Sequence, residues 1–205
     1  MTSAAAAAGD ITIAILAGGA AKRLGGRDKG LVCLQERPLI AWTLESLDLA
    51  AGQPHLIVAN RNLDEYARFA PTIADHDSGA FAGPLAGIAA ALAACSTAWL
   101  YSLPVDCVWP RPEILAALRQ AALGRPVDVL VAHDGHRRQP LFALYRSGLA
   151  AAAAAALASG AGVTRWQDSL DTREVDLSAL PEDAWLNLNT PEELALMRER
   201  MQRDD

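Results

Sequence analysis

Residues Leu16 to Gly30 read LAGGAAKRLGGRDKG, with five glycines, four cations and a single carboxylate in fifteen consecutive positions. Glycines cost folding entropy, so a segment that keeps five has a use for backbone freedom. Such backbone lets successive N–H groups approach an anion closely, and Lys or Arg beside them supplies charge. The chemistry on offer is a phosphate cradle. Spacing excludes two familiar cradles. Gly18-Gly19-Ala20 breaks G-x-G-x-x-G, and the lysine precedes its glycine in Asp28-Lys29-Gly30, so G-x-x-x-x-G-K-[ST] is absent. The chain as a whole carries a formal net charge of −6, which gives it no general attraction to nucleic acid or to an anionic membrane. The cations of this stretch are therefore a local feature and suit a small anionic ligand.

The elements around the stretch follow from periodicity. Ile11–Ala17 is a buried strand by its isoleucines, and it delivers the chain into the glycine-rich segment. Pro38–Ala50 has helical spacing at Leu39, Trp42, Leu44 and Leu47. His55–Ala59, Trp99–Leu103, Val127–Ala132 and Pro140–Tyr145 read as further strands. Leu85–Ala94 and Glu113–Ala122 read as helices, and Gly148–Ala158 as a helix made almost wholly of alanine, a low-complexity run of high helix propensity rather than a site. The last helix opens on NTPEEL, with Thr190 as N-cap, Pro191 at the first helical position and Glu193 completing a capping box. Alternation of this kind predicts a three-layer α/β sandwich on a mostly parallel sheet. Such sheets take ligands beyond the carboxyl ends of their strands, which is where Leu16–Gly30 lies.

The chain has 205 residues, a length suited to one domain, and 52% of it is hydrophobic, enough for a full core. Aromatics make up only 5%, so Ala, Leu and Val must fill that core. Residues 1–9 read as a disordered Ala-rich tail without a basic n-region, and no apolar run is long enough for a membrane span. Cys33, Cys95 and Cys107 are odd in number and lack metal-ligand spacing, which predicts buried thiols in a reducing cytoplasm. His55, His76, His133 and His136 have no zinc spacing either.

With the cradle written as LAGGxxxRLGGxDKGL, the sequence resembles nucleotidyltransferases of the molybdenum cofactor guanylyltransferase type. Further blocks appear in the family's order: Arg37-Pro38-Leu39, Ile57-Val58-Ala59-Asn60-Arg61, Gly83-Pro84-Leu85-Ala86-Gly87-Ile88, Leu103-Pro104-Val105-Asp106, Gln139-Pro140-Leu141-Phe142-Ala143-Leu144-Tyr145 and Asn187-Leu188-Asn189-Thr190-Pro191-Glu192-Glu193. They span about residues 11–197. The chain departs from the pattern at Val58, where the family often has Asn, at Gln139, which replaces a His, and at Gly160-Ala161-Gly162, where an arginine is displaced to Arg165.

The resemblance implies a Rossmann-like nucleotidyltransferase sheet, a single nucleotidyltransferase domain over residues 10–203, and transfer of GMP from GTP to the phosphate of molybdopterin with release of pyrophosphate. It implies Mg²⁺ as cofactor, with Asp106 as its ligand, because Mg²⁺ favours one or two carboxylates plus phosphate oxygens and water. Lys29 is expected to bind the phosphates with Arg23 assisting, while Lys22 and Arg27 are expected to be solvated. Leu16, Ala17 and Gly18 are expected to read guanine through main-chain groups, with Gly19 and Asn60 completing the nucleotide side. Asp77 is expected at the base or ribose, with Asp75 as the alternative two residues away. Asn187, Asn189 and Arg165 are assigned to the molybdopterin side, and Asn189 alternatively to a second metal contact. Molybdenum-insertion proteins or apo-molybdoenzymes are expected as transient partners. A cytidylyltransferase of the same cofactor, a sugar-phosphate nucleotidyltransferase and a non-catalytic binder of GTP or molybdopterin remain alternatives.

Overall fold

The computed structural model describes residues 10–17, 28–75, 83–107, 109–188 and 190–204. The expectations for the 1–9 tail and for Gly18, Gly19, Lys22, Arg23, Arg27, His76, Asp77 and Asn189 lie outside these residues. Nine strands and seven helices follow in chain order among the described residues: β1 Ile11–Leu16, β2 Cys33–Leu34, β3 Arg37–Pro38, α1 Leu39–Ser46, β4 His55–Ala59, α2 Leu63–Tyr66, β5 Thr72–Ala74, α3 Pro84–Ala94, β6 Trp99–Pro104, α4 Pro112–Ala122, β7 Val129–His133, β8 Arg138–Arg146, α5 Ala150–Ala158, α6 Val163–Asp168, β9 Thr172–Asp176 and α7 Pro191–Asp204.

Seven strands form one sheet in the order β5-β4-β1-β6-β8-β7-β9. All neighbours run parallel except at β8, which is antiparallel to both β6 and β7. This is the expected three-layer α/β sandwich. On one face Ile11, Ile13, Ile15, Tyr101 and Leu103 pack under α1 and α4; on the other Ala14, Val58, Leu100, Val131 and Tyr145 pack under α3, α5 and α6. Buried on both faces, the central strands read as near-continuous apolar runs. Because Ser102 pairs with Ala143 in the antiparallel register, the start of β8 lies at the same sheet edge as the end of β6.

Two readings change in the structure. The alanine run of α5 does more than favour a helix: it lies against α3, with Ala153 fully buried beside Ala89, Ala90 and Ala91. Methyl-sized side chains on both helices let them approach closely. Of the three thiols only Cys107 is buried, whereas Cys95 is half-buried and Cys33 exposed. Cys33 sits on the two-residue strand β2, where pleating turns Leu34 inward and Cys33 out.

The capping box forms as expected: Glu193 N–H donates to Thr190 Oγ1 at 3.2 Å and Thr190 N–H to Glu193 Oε2 at 2.9 Å. Helix α7 packs Leu194 and Met197 on Val32, Leu34 and Leu39, so it covers the hairpin that follows the cradle. Among the described residues, no helix is long and apolar enough to cross a membrane.

Candidate active site at the carboxyl edge of the sheet

Strands β1, β4 and β6 end side by side and set the floor of the site. At the end of β1, the Leu16 carbonyl accepts from Val105 N–H at 3.1 Å, and Ala17 N–H donates to the Val58 carbonyl at 2.8 Å. The Ala17 N–H is thus spent in the sheet ladder and is not available to guanine, whereas the Leu16 carbonyl keeps a second lone pair. Ala17 itself is buried. Val58 is buried beneath α3, which explains an apolar residue at this position: it is a core side chain. Gly87 makes the same packing possible, since a Cβ on it would lie 3.2 Å from Leu16 Cδ2. Asn60 is exposed just past β4, and Asp75 is half-buried just past β5, with its N–H on the Ala59 carbonyl at 3.2 Å.

Asp106 follows β6 in a turn held from several sides. The buried Thr43 hydroxyl of α1 lies 3.0, 3.2 and 3.5 Å from the carbonyls of Leu39, Val105 and Cys107, bracketing Asp106. The Asp106 carbonyl accepts from Leu188 N–H at 3.0 Å, and Cys107 pairs with Asn187 in an isolated bridge. Asn187 is thereby brought next to Asp106 in the fold. Leu186 is 41% exposed, because it ends the 3-10 turn Glu182–Trp185 before the pairing begins. Burial, and then the neighbouring Asp106 charge, push the Cys107 thiol up to about 12.

Lys29 opens a 3-10 turn, Lys29–Leu31, at the end of the cradle, and its ammonium forms an ion pair with Asp106 Oδ2. Both side chains are largely withdrawn from solvent, at 12% and 15% exposure. The structure therefore brings together the lysine and the carboxylate that the sequence separates by 77 positions. The turn has no room for a side chain at Gly30. A Cβ there would lie 2.5 Å from the Tyr66 hydroxyl and 2.9 Å from Val105 Cγ2. Neither atom is the free end of a flexible chain, so Gly30→Ala is expected to cost about 1–3 kcal/mol and to lower Tm by roughly 3–10 °C in a melting experiment.

The acceptor-side expectations divide. Arg165 is exposed on α6, over the sheet face that α3 and α5 cover, whereas Asp106 is tied to α1 on the opposite face. Gln139 is buried and donates to Asp134 Oδ2 at 2.5 Å, while Asp134 Oδ1 accepts the N–H groups of His136 and Arg137 at 2.8 Å each. Gln139 therefore fastens the β7–β8 turn. Burial works against the Asp134 charge, but the N–H groups of Arg137 and His136 and the Gln139 amide outweigh it and hold the pKa to about 2.

A family model for the MobA-like NTP transferase domain matches residues 13–174. The chain is 40% identical over 181 residues to the molybdenum cofactor guanylyltransferase of Vibrio vulnificus (strain YJ016), covering 88% of this chain and 91% of that one. It is 39% identical over 188 residues to the molybdenum cofactor guanylyltransferase of Vibrio cholerae, covering 91% and 90%. Among solved structures, molybdopterin-guanine dinucleotide biosynthesis protein A from Archaeoglobus fulgidus superimposes with a TM-score of 0.78 over 94% of this chain and 99% of that one, a likeness of fold at 24% identity. With this match over most of its length, and with a lysine and a carboxylate meeting at the carboxyl edge of the sheet, the chain belongs to the MobA-like NTP transferases and is a nucleotidyltransferase.

Proposed function

We propose that the protein transfers GMP from GTP to the terminal phosphate of molybdopterin, acting in the cytoplasm. An oxygen of that phosphate attacks the α-phosphorus of GTP, the α–β anhydride bond breaks, pyrophosphate leaves and molybdopterin guanine dinucleotide remains. The names of the relatives support this choice of substrates, and one observation supports the chemistry: the Lys29–Asp106 ion pair at the end of the glycine-rich segment. Two anions must meet here, so positioning and charge neutralisation dominate over covalent work. Lys29 leaves Asp106 for the triphosphate, and the ends of β1 and β4 receive the base. Asn187, held beside Asp106 by its bridge to Cys107, is the contact we assign to the second phosphate.

The residues present suit Mg²⁺. Asp106 is a hard oxygen donor that already stabilises a cation, the Lys29 ammonium, and a single carboxylate fits an ion that keeps water and phosphate oxygens as its other ligands. Bound at Asp106, Mg²⁺ would offset charge at the α-phosphate and on the departing pyrophosphate.

The test is pyrophosphate release by the purified protein with Mg²⁺, molybdopterin and each NTP in turn. Release with GTP supports the reading. Release with CTP moves the protein to cytidylyl transfer, and release with a sugar phosphate in place of molybdopterin moves it to the sugar-phosphate branch. GTP binding without release under any of these conditions leaves a non-catalytic binder.

A further inference from the structure

The residue before Lys29 is more deeply buried than Lys29 itself. Asp28 is 6% exposed, and its carboxylate is held by three side chains from the segment after β4. The Tyr66 hydroxyl donates to Oδ1, while Asn62 Nδ2 and Arg61 Nε donate to Oδ2 at 3.1 and 3.3 Å. Tyr66 is fully buried in the core beside Ala59 and Val105. Burial, reinforced by its hydrogen bond to the Asp28 carboxylate, pushes the hydroxyl well above its ordinary pKa, so it stays a donor. The Asp28 carbonyl also closes the turn that carries Lys29, accepting from Leu31 N–H at 3.1 Å.

We propose that Tyr66 is a positioning residue of the transfer site: by holding the Asp28 carboxylate in the core, its hydroxyl fixes the turn that presents Lys29 to Asp106 and to phosphate. The proposal rests on the nucleotidyl-transfer reading above. A carboxylate one residue from the phosphate-binding ammonium is a hazard, because released it would repel the triphosphate and compete for Lys29. Tyr66, Asn62 and Arg61 occupy both of its oxygens and turn it away. Gly30 is the complement of the arrangement, since only a residue without Cβ lets the turn lie on the Tyr66 ring and Val105.

The test uses Tyr66→Phe, which keeps the ring on which the turn rests and removes only the donor. Asn62→Gly removes a donor from the other oxygen and suits the left-handed backbone at Asn62, φ 54°. Three readouts decide. First, kcat/KM for GTP is expected to fall by about tenfold in Tyr66→Phe, in the same sense as in Lys29→Ala, because a misplaced ammonium serves the triphosphate less well. Second, adding Tyr66→Phe to Lys29→Ala is expected to cost nothing further, because the hydroxyl acts through the ammonium. Third, Lys22 and Lys29 are the two lysines of the chain, so acetylation at each can be followed by mass spectrometry without ligand. The rate at Lys29 relative to Lys22 is expected to rise by at least about fivefold in both variants, as the ion pair with Asp106 loosens.

Equal losses from Tyr66→Phe in the wild-type and Lys29→Ala backgrounds, an unchanged Lys29 rate, or a rise shared by Lys22 would each overturn the proposal. If the wild-type protein releases no pyrophosphate, the function reading fails, and the acetylation arm still decides the positioning role.

Discussion

Asp106→Asn is expected to lower kcat by roughly a hundredfold or more while leaving GTP affinity within about threefold. The substitution keeps size and shape and removes one negative charge. The turn itself should persist, because Thr43 and Leu188 hold its main chain rather than its carboxylate. The charge matters twice. In the ligand-free protein it neutralises Lys29, and with nucleotide bound it would hold Mg²⁺ near the reacting phosphate. Losing the first role frees the lysine for GTP, which is why binding survives. Losing the second removes stabilisation specific to the transition state. Single-turnover pyrophosphate release paired with a binding titration on the same variant separates the two. Release at the wild-type rate would show that Asp106 is not the metal ligand.

Lys29→Ala should act in the opposite sense on binding. An ammonium facing phosphates in a partly desolvated site contributes on the order of 1.5–3 kcal/mol, so kcat/KM for GTP should drop by about ten- to a hundredfold. The variant also leaves the Asp106 carboxylate without its cation, turning a neutral pair into a bare negative charge where a triphosphate must enter. GTP affinity should therefore suffer most without Mg²⁺ and partly recover at saturating Mg²⁺. Lys22→Ala, measured in parallel, should change kcat/KM far less. Equal losses from the two lysines would defeat the assignment of roles.

Much of this was legible in the residues alone. The central strands β1, β4 and β6 are apolar because both faces are covered, and the NTPEEL cap announces α7 without tertiary information. The short elements were not. Strand β9 reads TREVD and gains its place through main-chain pairing with β7 rather than burial, so no periodicity betrays it. Helix α6, six residues long, is tied to the fold by stacking of Trp166 on Tyr145 and by hydrogen bonds from Gln167 to Tyr145 and the Pro140 carbonyl. At the site, Lys29 and Asp106 could be named from their types and their family pattern. The inward turn of Asp28 could not, since its three donors lie 33 to 38 positions away and nothing local marks Tyr66 as a donor rather than a core ring.

The two ends of the sheet bear on how the molecules coexist at high concentration. In a chain that is 52% hydrophobic, an open strand edge is a template on which another copy can extend the sheet. One edge here is β5, only three residues long and preceded by Pro71. The other is β9, whose Arg173, Glu174 and Asp176 put charge along most of its length, with Glu174 held by Arg138 at 2.9 Å. An arriving strand would find too few pairing groups at one margin, and at the other would have to strip water from a row of ions. Self-association through continued β-pairing is thus disfavoured at both margins, and the apolar chain can crowd without templating its own aggregation.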